Sequence, residues 1–590
     1  MGSRMKKIFN KIDQMVVEMG TGLAMAYPGK LTFEAKYRYV CRAQRNPDKV
    51  VLISGGGSGH EPAHGGFVGT GMLDAAVCGE IFSSPSQIQV YRCIKETAGN
   101  KGTLLIIKNY SGDIMNFQNA AALAGLDGLK VEYVKVADDI AVQDSLYTVG
   151  RRGVAGTVFV HKAAGAAAEE GKDLAEVKRI AQKCADHVRS VGFAYTSCTV
   201  PAKGTPTFQL DDSEMEYGVG IHGEPGVRRE KVIPADAMAE RMVDSVLKDL
   251  GANKGDRIAL MVNGFGATPL LELYILNYYA MRELAKKGIT VSRIFVGNYM
   301  TSIDMAGASI SILKLDDELQ KYLAAKSDAP AFKVDGTEQA AAFTHLDAEG
   351  GEDGKDISYK ADLSGNANVI RGNALSLRNM VYLVDKMAEI IIENEVPFCD
   401  LDSYAGDGDF GKSIANGFRQ LKNSWSTLTK DHAGSIYGFL DACSLIIMEY
   451  CGGASGPIWG FAFKHAAKIA EGKESLAVQD MAEMLASAVK GIQDVGERAF
   501  GRGAGVGDKT LMDALIPCAE AWKAGSAKPM RECFKNGAAA AIDGAEKTKD
   551  IVARMGRAGT VGERSLGYPD AGAFALGKIF TELTESLKFE

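Results

Sequence analysis

The sequence predicts an α/β amino-terminal half made of two α/β subdomains, followed by an all-α carboxy-terminal domain. Three observations carry this. From Val50 to Gly297, short apolar runs that end in glycine loops alternate with helical stretches. Such alternation argues for a largely parallel or mixed sheet. From Gly336 to Gly372 the pattern weakens, and Gly350–Asp356 is polar and glycine-rich, as a linker is. Beyond it, apolar residues recur at helical spacing and no alternating Val/Ile-rich run interrupts them. The 590 residues allow three or four compact units, at roughly 100–200 residues each. The expected boundaries are 1–335 for the α/β domain, with subdomains of about 1–195 and 196–335, then a linker over 336–372 and a helical domain over 373–590.

In chain order, Lys6–Met19 reads as a charged amphipathic helix and not as a signal peptide. Val50–Ser54 reads as a buried strand running into the glycine loop Gly55–Gly59. Thr103–Lys108 and Lys130–Val136 are further strands, and Lys162–Val191 is helical in pattern. The second subdomain supplies a strand at Arg257–Asn263, a helix at Pro269–Lys287 with proline in its first turn, and a strand at Thr290–Gly297. In the last domain Met380, Leu383, Val384, Met387 and Ile390 mark one helix face. Later helices are expected over Asp441–Tyr450, Phe461–Glu471, Val478–Asp494, Lys509–Trp522 and Cys533–Arg554.

Composition excludes several classes. With 46% hydrophobic and 24% charged residues the chain is an ordinary globular one. A net charge of −7 gives no pull toward nucleic acid or anionic membrane. The ten cysteines form no CxxC pair and suit neither zinc nor a disulfide framework, so they read as reduced core thiols of a cytoplasmic protein. No apolar stretch is long enough to span a bilayer.

Two regions carry chemistry. Residues 402–413 read Asp-Ser-Tyr-Ala-Gly-Asp-Gly-Asp-Phe-Gly-Lys-Ser. Gly406 and Gly408 let the loop fold tightly enough to converge Asp402, Asp407 and Asp409. Convergent carboxylates repel unless hard cations sit between them, and Mg²⁺ shares its shell with substrate phosphates. An exposed acidic turn is the plain alternative. Gly406–Ser413 also matches the P-loop expression GxxxxGK[ST], but two carboxylates would sit in the phosphate cradle and no buried strand precedes it. An EF-hand fails because Phe418 stands where the bidentate glutamate belongs. Gly452-Gly453-Ala454-Ser455-Gly456 precedes a helix whose first amides suit an anion, and Gly556-Arg557-Ala558-Gly559 offers a cation and more amides. In the first half, the chain has eight histidines, and His60 and His222 stand in the glycine-rich loops Gly55–Pro62 and Gly220–Gly226. Asp113 follows the strand that ends at Lys108.

Together these segments resemble the dihydroxyacetone kinase family. The resembling pieces are GGGSGHEP from Gly55, Lys108–Asp113, Gly220–Gly226, Gly297–Gly307, Asp402–Gly411, Gly507–Leu515 and Gly556–Ala573, in the family's order over nearly the whole chain. The resemblance implies a ketose-binding domain and a barrel of antiparallel helices that binds ATP through two Mg²⁺ ions, fused as in the ATP-dependent form. It implies that His222 holds the substrate carbonyl as a hemiaminal and that Asp113 is the base. His60 would hydrogen-bond the substrate and help stabilise or protonate it, with Lys108, Gly57, Ser58 and Gly59 completing the pocket. Asp402, Asp407 and Asp409 would hold the metal. Asp409, Gly411, Lys412, Ser413, Gly453, Ala454, Ser455, Gly456, Lys509, Thr510, Gly556, Arg557 and Ala558 would hold the nucleotide. Family members often carry a hydroxyl residue where this chain has Ala454, and a small or hydroxyl residue where it has Lys412. The resemblance also implies a homodimer, a small ketose as partner, and neither nucleic acid nor membrane. Two other readings belong to the same family: flavin-dinucleotide cleavage at the nucleotide site, and a non-enzymatic sensor.

Overall fold

The computed structural model describes residues 7–142, 150–337, 366–432, 434–556, 559 and 562–590. Internal packing divides the chain into two compact units, Met1–Asp347 and Ala348–Glu590. The expected linker lies mostly outside the described residues.

The first unit holds two mixed sheets. The first contains β1 (Leu31–Glu34), β2 (Tyr39–Arg42), β3 (Val51–Ser58), β4 (Ala75–Ile81), β5 (Thr103–Lys108) and β6 (Val131–Val136), in the order β1-β2-β4-β3-β5-β6. Strands β4, β3, β5 and β6 are mutually parallel. The second contains β7 (Val188–Ala194), β8 (Glu214–Tyr217), β9 (Arg228–Lys231), β10 (Arg257–Gly264), β11 (Thr290–Gly297) and β12 (Gly307–Leu315), in the order β11-β10-β12-β7-β8-β9. Only β10 and β11 pair in parallel among its described strands.

Side chains of one strand point to alternate faces, so a strand buried on both sides must be apolar throughout. Strand β5 obeys this: Leu104 and Ile106 enter one core, Leu105 and Ile107 another. The first of these cores also takes Ala259 and Met261 from β10, so both sheets contribute to it. Helix Thr157–Glu169 lies in that core and is buried on nearly every side, which explains its run of alanines. Gly165 permits its closest approach, because a Cβ there would sit 2.4 Å from the Gly71 carbonyl oxygen.

Three expectations in this unit need correction. The helical pattern over Lys162–Val191 resolves into two helices, Thr157–Glu169 and Leu174–Asp186, and the start of β7. Gly171, in the left-handed region at φ 88°, breaks the first, and the Asp173 side chain caps the second by accepting from Glu176 N. The glycine loop does not begin at Gly55: β3 continues to Ser58, beside β4. A Cβ on Gly55 would lie 2.4 Å from the Val77 carbonyl oxygen, so glycine here serves strand packing. The helix expected over Lys6–Met19 starts later, as Met15–Ala26, after a 3₁₀ turn at Ile12–Gln14.

The second unit is helical. Leu377–Glu393, Phe410–Asn423, Ile436–Tyr450, Ser455–Ile469, Val478–Phe500, Met512–Ala524, Met530–Lys547 and Ala571–Ser586 each pack on the next, and the last returns to the first. Short connections make sequential neighbours antiparallel. Their apolar faces surround a cavity of about 170 Å³, lined by residues such as Leu383, Trp459, Met484, Leu515 and Phe580. The all-helix expectation missed two small pairings, Val369–Ile370 with Lys588–Phe589 and Ala374–Ser376 with Ser475–Ala477. The helix expected from Lys509 starts at Met512, and that expected to reach Arg554 ends at Lys547. The ten cysteines form no disulfide. No helix among the described residues is long and apolar enough to cross a membrane.

A paired substitution tests the packing of the first unit. Gly165→Ala should destabilise it by about 1–3 kcal/mol through overpacking. Gly125→Ala, in helix Ser111–Leu126 with nothing within 4 Å of the new methyl, should be neutral or stabilising by up to about 1 kcal/mol. Urea unfolding followed by circular dichroism reads both. Equal midpoints for the two variants would contradict the packing described.

Candidate active site and carboxylate centre

Ligands in parallel sheets sit beyond the carboxyl ends of the strands. In the first unit, β3 delivers His60 there, β4 delivers Phe82, and β5 delivers Lys108 and, one helical turn on, Asp113. The loop between β8 and β9 brings His222 to the same place. His222 Nε2 lies 3.2 Å from His60 Nε2.

The surrounding bonds fix the tautomers. His60 Nδ1 lies 2.8 Å from the Thr301 carbonyl oxygen, which can only accept, so Nδ1 carries the proton. In a neutral His60 the Nε2 lone pair is then free to accept, and His222 Nε2–H donates to it. Burial, with Lys108 nearby, holds His60 well below its usual 6.5. Burial does the same to His222, helped by His60, Lys108 and Arg152. Both rings are therefore neutral at ordinary pH. Phe82 stacks on His60 with ring centroids 5.0 Å apart, and Tyr110 meets the His222 ring edge-on at 4.4 Å.

Lys108 and Asp113 form the other half of the site. Lys108 is completely buried, and its Nζ finds Asp113 Oδ2 at 3.8 Å. Burial pushes Asp113 up from the usual 3.8, while Lys108 pulls it down. Burial likewise pushes Lys108 down, against the attraction of Asp113 and Glu224. A Cβ on Gly56 would lie 2.9 Å from Lys108 Nζ and 3.3 Å from Asp113 Oδ2, so this glycine keeps open the space over both groups.

The structure thus brings together His60, Lys108, Asp113 and His222. It places the other expected pocket residues differently. Gly57 packs against the backbone of Phe82 and Ser83. The Ser58 hydroxyl donates to the Gly79 carbonyl at 2.7 Å, and Gly59 faces the Phe82 ring and Ile303. Sequence reasoning missed Gly56, Phe82, Tyr110 and Thr301. Gly56, Tyr110 and Thr301 stood inside motifs already singled out; Phe82 carried no signal of its own. Phe82 and Ile303 both adopt left-handed backbone, at φ 56° and 55°. Such strain in a β-branched or bulky residue gathers at functional sites.

In the second unit Asp402 ends helix Glu395–Asp402, and Asp409 directly precedes helix Phe410–Asn423. Asp402, Asp407 and Asp409 each present a carboxylate oxygen, all within 4.8 Å of one another. The donors are hard oxygens alone, which fits Mg²⁺. The loop is built round Asp402, whose Oδ2 accepts from Gly408 N at 2.9 Å and Phe410 N at 3.4 Å. A Cβ on Gly406 would meet Asp402 Oδ1 at 2.2 Å. Those amides are turned to a carboxylate, and the preceding element is a helix, so the loop is no P-loop. Burial raises Asp402 and its two neighbours raise it further, which a cation between them would reverse.

The remaining expected nucleotide residues occupy several places. Ser413 donates to the Gly452 carbonyl at 2.6 Å and so ties the carboxylate loop to Gly453, Ala454, Ser455 and Gly456, at the start of helix Ser455–Ile469. Gly411 packs on the Glu395 carbonyl, where a Cβ would come within 2.0 Å. The Lys412 amide donates to Cys399 Sγ, and its side chain is exposed. Lys509 is buried and donates to the Ser565 and Tyr568 carbonyls, while Thr510 N donates to Asp513 at 2.8 Å. Gly556 is exposed. Arg557 and Ala558 lie outside the described residues. Two features went unread in the sequence: Tyr404 stacks on Tyr568 at 3.7 Å, and half-buried Asp570 is pushed up to about 7 by desolvation, with Asp513 and Asp402 adding to it.

Known proteins match both units. The Dak1 domain family matches residues 21–331, and the DAK2 domain family residues 404–585. The L-erythrulose 1-kinase of Mycolicibacterium smegmatis is 34% identical, with 99% of this chain and 100% of that protein aligned. The triokinase/FMN cyclase of Rattus norvegicus is 33% identical over 99% of each. The crystal structure of the C. freundii dihydroxyacetone kinase superposes with a TM-score of 0.59 at 30% identity, covering 99% of this chain and 100% of that one. A second structure of that kinase holds AMP-PNP and Mg²⁺. With a Dak1 and a DAK2 domain in one polypeptide and relatives aligned over nearly its full length, the chain belongs to the dihydroxyacetone kinase family.

Proposed function

We propose that this protein transfers a phosphoryl group from ATP to a terminal hydroxyl of dihydroxyacetone or a related short ketose or triose. The supporting observation is the neutral imidazole pair, buried His60 and half-buried His222, beside Lys108 and Asp113. A neutral ring is the nucleophilic form of histidine.

The ring-to-ring contact supports one path for the protons. As His222 Nε2 bonds to the substrate carbonyl carbon, its proton passes to His60 Nε2, 3.2 Å away. His60 then gives that proton to the oxygen that receives the carbonyl π electrons, which completes a hemiaminal with no net charge. Asp113 takes the proton from the terminal hydroxyl as that oxygen bonds to the γ-phosphorus of ATP and ADP leaves with the bridging oxygen; its raised pKa suits a base. Holding a three-carbon acceptor covalently makes it part of the protein and removes its freedom to tumble. Asp402, Asp407 and Asp409 would hold Mg²⁺, in our reading two ions, and the loop tied by Ser413 would hold the nucleotide. Bound there, Mg–ATP supplies the phosphoryl group and neutralises its charge. The reading includes a cytoplasmic homodimer.

The second family reading draws on the rat relative, whose name includes FMN cyclase. Cleavage of a flavin dinucleotide would use the carboxylate centre and not His222, so His222→Ala should abolish ketose phosphorylation and spare that activity. A sensor role is disfavoured because all the reacting groups are present.

Asp407→Asn should nearly abolish turnover with circular dichroism unchanged, since one carboxylate fewer no longer balances the cations. Near-normal rate at saturating Mg²⁺ would refute the carboxylate centre. For acceptor choice, glycerol shares the terminal hydroxyls of dihydroxyacetone but has no electrophilic carbon. Differences of one small group separate ligands by roughly 10–200-fold; a covalent requirement should exceed that in the kcat/KM ratio. Comparable rates with glycerol would remove the role given to His222. The pH profile is a third test. Protonating His60 or His222 would block capture, but burial keeps both neutral below 6.5, so kcat/KM should show no limb there. Its acid limb should follow protonation of Asp113, above the ordinary 3.8. A limb centred near 6.5 would contradict the burial argument.

A further inference from the structure

The loop that carries His222 has little of its own to hold it in shape. Gly218, Gly220, Gly223 and Gly226 surround the histidine, and Gly218 and Gly223 adopt left-handed backbone at φ 78° and 71°. Glycine gives such a loop freedom that something else must remove. Its ends are held by Gly218 N on the Gly192 carbonyl and Gly226 N on Glu216 Oε2, and one buried side chain grips it between them. Arg152 is 2% exposed and makes bonds in three directions. Its Nε donates to Asp139 Oδ2 at 2.7 Å, its NH2 to the Gly218 carbonyl at 2.8 Å, and its NH1 to Glu224 Oε1 at 3.1 Å. Glu224 Oε2 in turn accepts from the backbone amide of His222 at 2.9 Å. The carboxylate lies so close under the loop that a Cβ on Gly220 would stand 1.7 Å from Glu224 Oε1 and 2.8 Å from Arg152 NH1.

The two ends of this chain of bonds matter. Asp139 follows β6 of the first sheet, whose strands deliver His60, Lys108 and Asp113, and it also bridges Ser190 of β7 in the second. His222 rides on the connection between two strands of the second sheet. Arg152 therefore fixes the His222 loop to Asp139, at the place where β6 of the first sheet adjoins β7 of the second. The planar guanidinium can do this because its donors leave in fixed directions; an ammonium on a flexible stem cannot hold three acceptors in one geometry. A buried arginine with two carboxylates is also costly unless every partner is in place, so the arrangement has one good state.

We propose that Arg152, acting through Glu224, is the positioning residue that sets the place of His222 relative to His60 and to the acceptor. This deepens the reading of His222 as the group that captures the acceptor, and it rests on that reading. Neither Arg152 nor Glu224 touches the reacting atoms; they act through the His222 backbone amide, beside the weaker influence of their charges on His222 and Lys108.

The test uses the full-length protein carrying Arg152→Lys or Glu224→Gln. The first keeps the charge and loses the fork. The second keeps the size but sets an amide donor against Arg152 NH1. Crystal structures should show the His222 ring displaced from His60, with the Nε2–Nε2 contact broken. The kcat/KM for dihydroxyacetone should fall on the order of 100-fold, as misplacements of about 1 Å do, with the KM for ATP unchanged. A merely structural role would lower the melting temperature and leave the acceptor KM and the ring contact as they are. That result in either folded variant overturns the proposal. Should Arg152→Lys fail to fold, Glu224→Gln alone decides. The ring contact is read without substrate, so it judges the positioning claim even if the wild-type protein formed no adduct, an outcome that would overturn only the hemiaminal reading.

Discussion

The chemistry of the first unit depends on one hydrogen bond, from His60 Nδ1 to the Thr301 carbonyl. It settles which nitrogen of His60 is free, and through the ring-to-ring contact it settles where His222 keeps its proton. A charged ring in either position would end the arrangement. Burial prevents this, since taking an imidazolium from water into an apolar wall is costly and a neutral imidazole is not. The Phe82 and Tyr110 rings supply that wall. Lys108 adds a positive charge in the same interior, and Asp113 is its counter-charge. The site is thus a set of titratable groups packed together, each shifted by burial and by the charges of the others.

The second unit works by the opposite principle. Asp402 is half-buried and tied by amides, whereas Asp407 and Asp409 are exposed. Their mutual repulsion is tolerable at the surface and becomes an asset once a cation is present. Gly406 and Gly408 are needed for this geometry: the first because Asp402 fills the space of a side chain, the second because it is left-handed at φ 76°. The acidic turn and the false P-loop match in the sequence are two aspects of one fold of the loop.

Much of the architecture was legible because it obeys simple periods. Strand β5 was read with its observed ends, since a strand buried on both faces is a continuous apolar run bounded by polar residues. Strand β7 was missed because Val188–Ala194 contains Arg189, Ser190 and Gly192, and the helix before it blurs the change of period. Ser190 is polar yet buried, donating to Asp138, a partner no local pattern reveals. At the site, His60, Asp113, His222 and the three carboxylates stood out because titratable groups sat among glycines. Phe82 and Thr301 did not, because their role comes from loops that meet only in the folded chain. Arg152 is the clearest case. It lies 72 residues from Glu224 in sequence, and nothing local marks it.

Everything proposed for the first unit turns on whether His222 joins covalently to the acceptor carbon. Carbon NMR of dihydroxyacetone labelled at its carbonyl and mixed with the protein in the absence of ATP tests it most directly. The account predicts that the bound carbon loses its carbonyl resonance and appears among tetrahedral carbons bearing oxygen and nitrogen, with one-bond coupling to ¹⁵N-labelled histidine, and that His222→Ala shows neither. A bound substrate that keeps its carbonyl resonance, or that shows tetrahedral carbon without coupling to histidine, would contradict it.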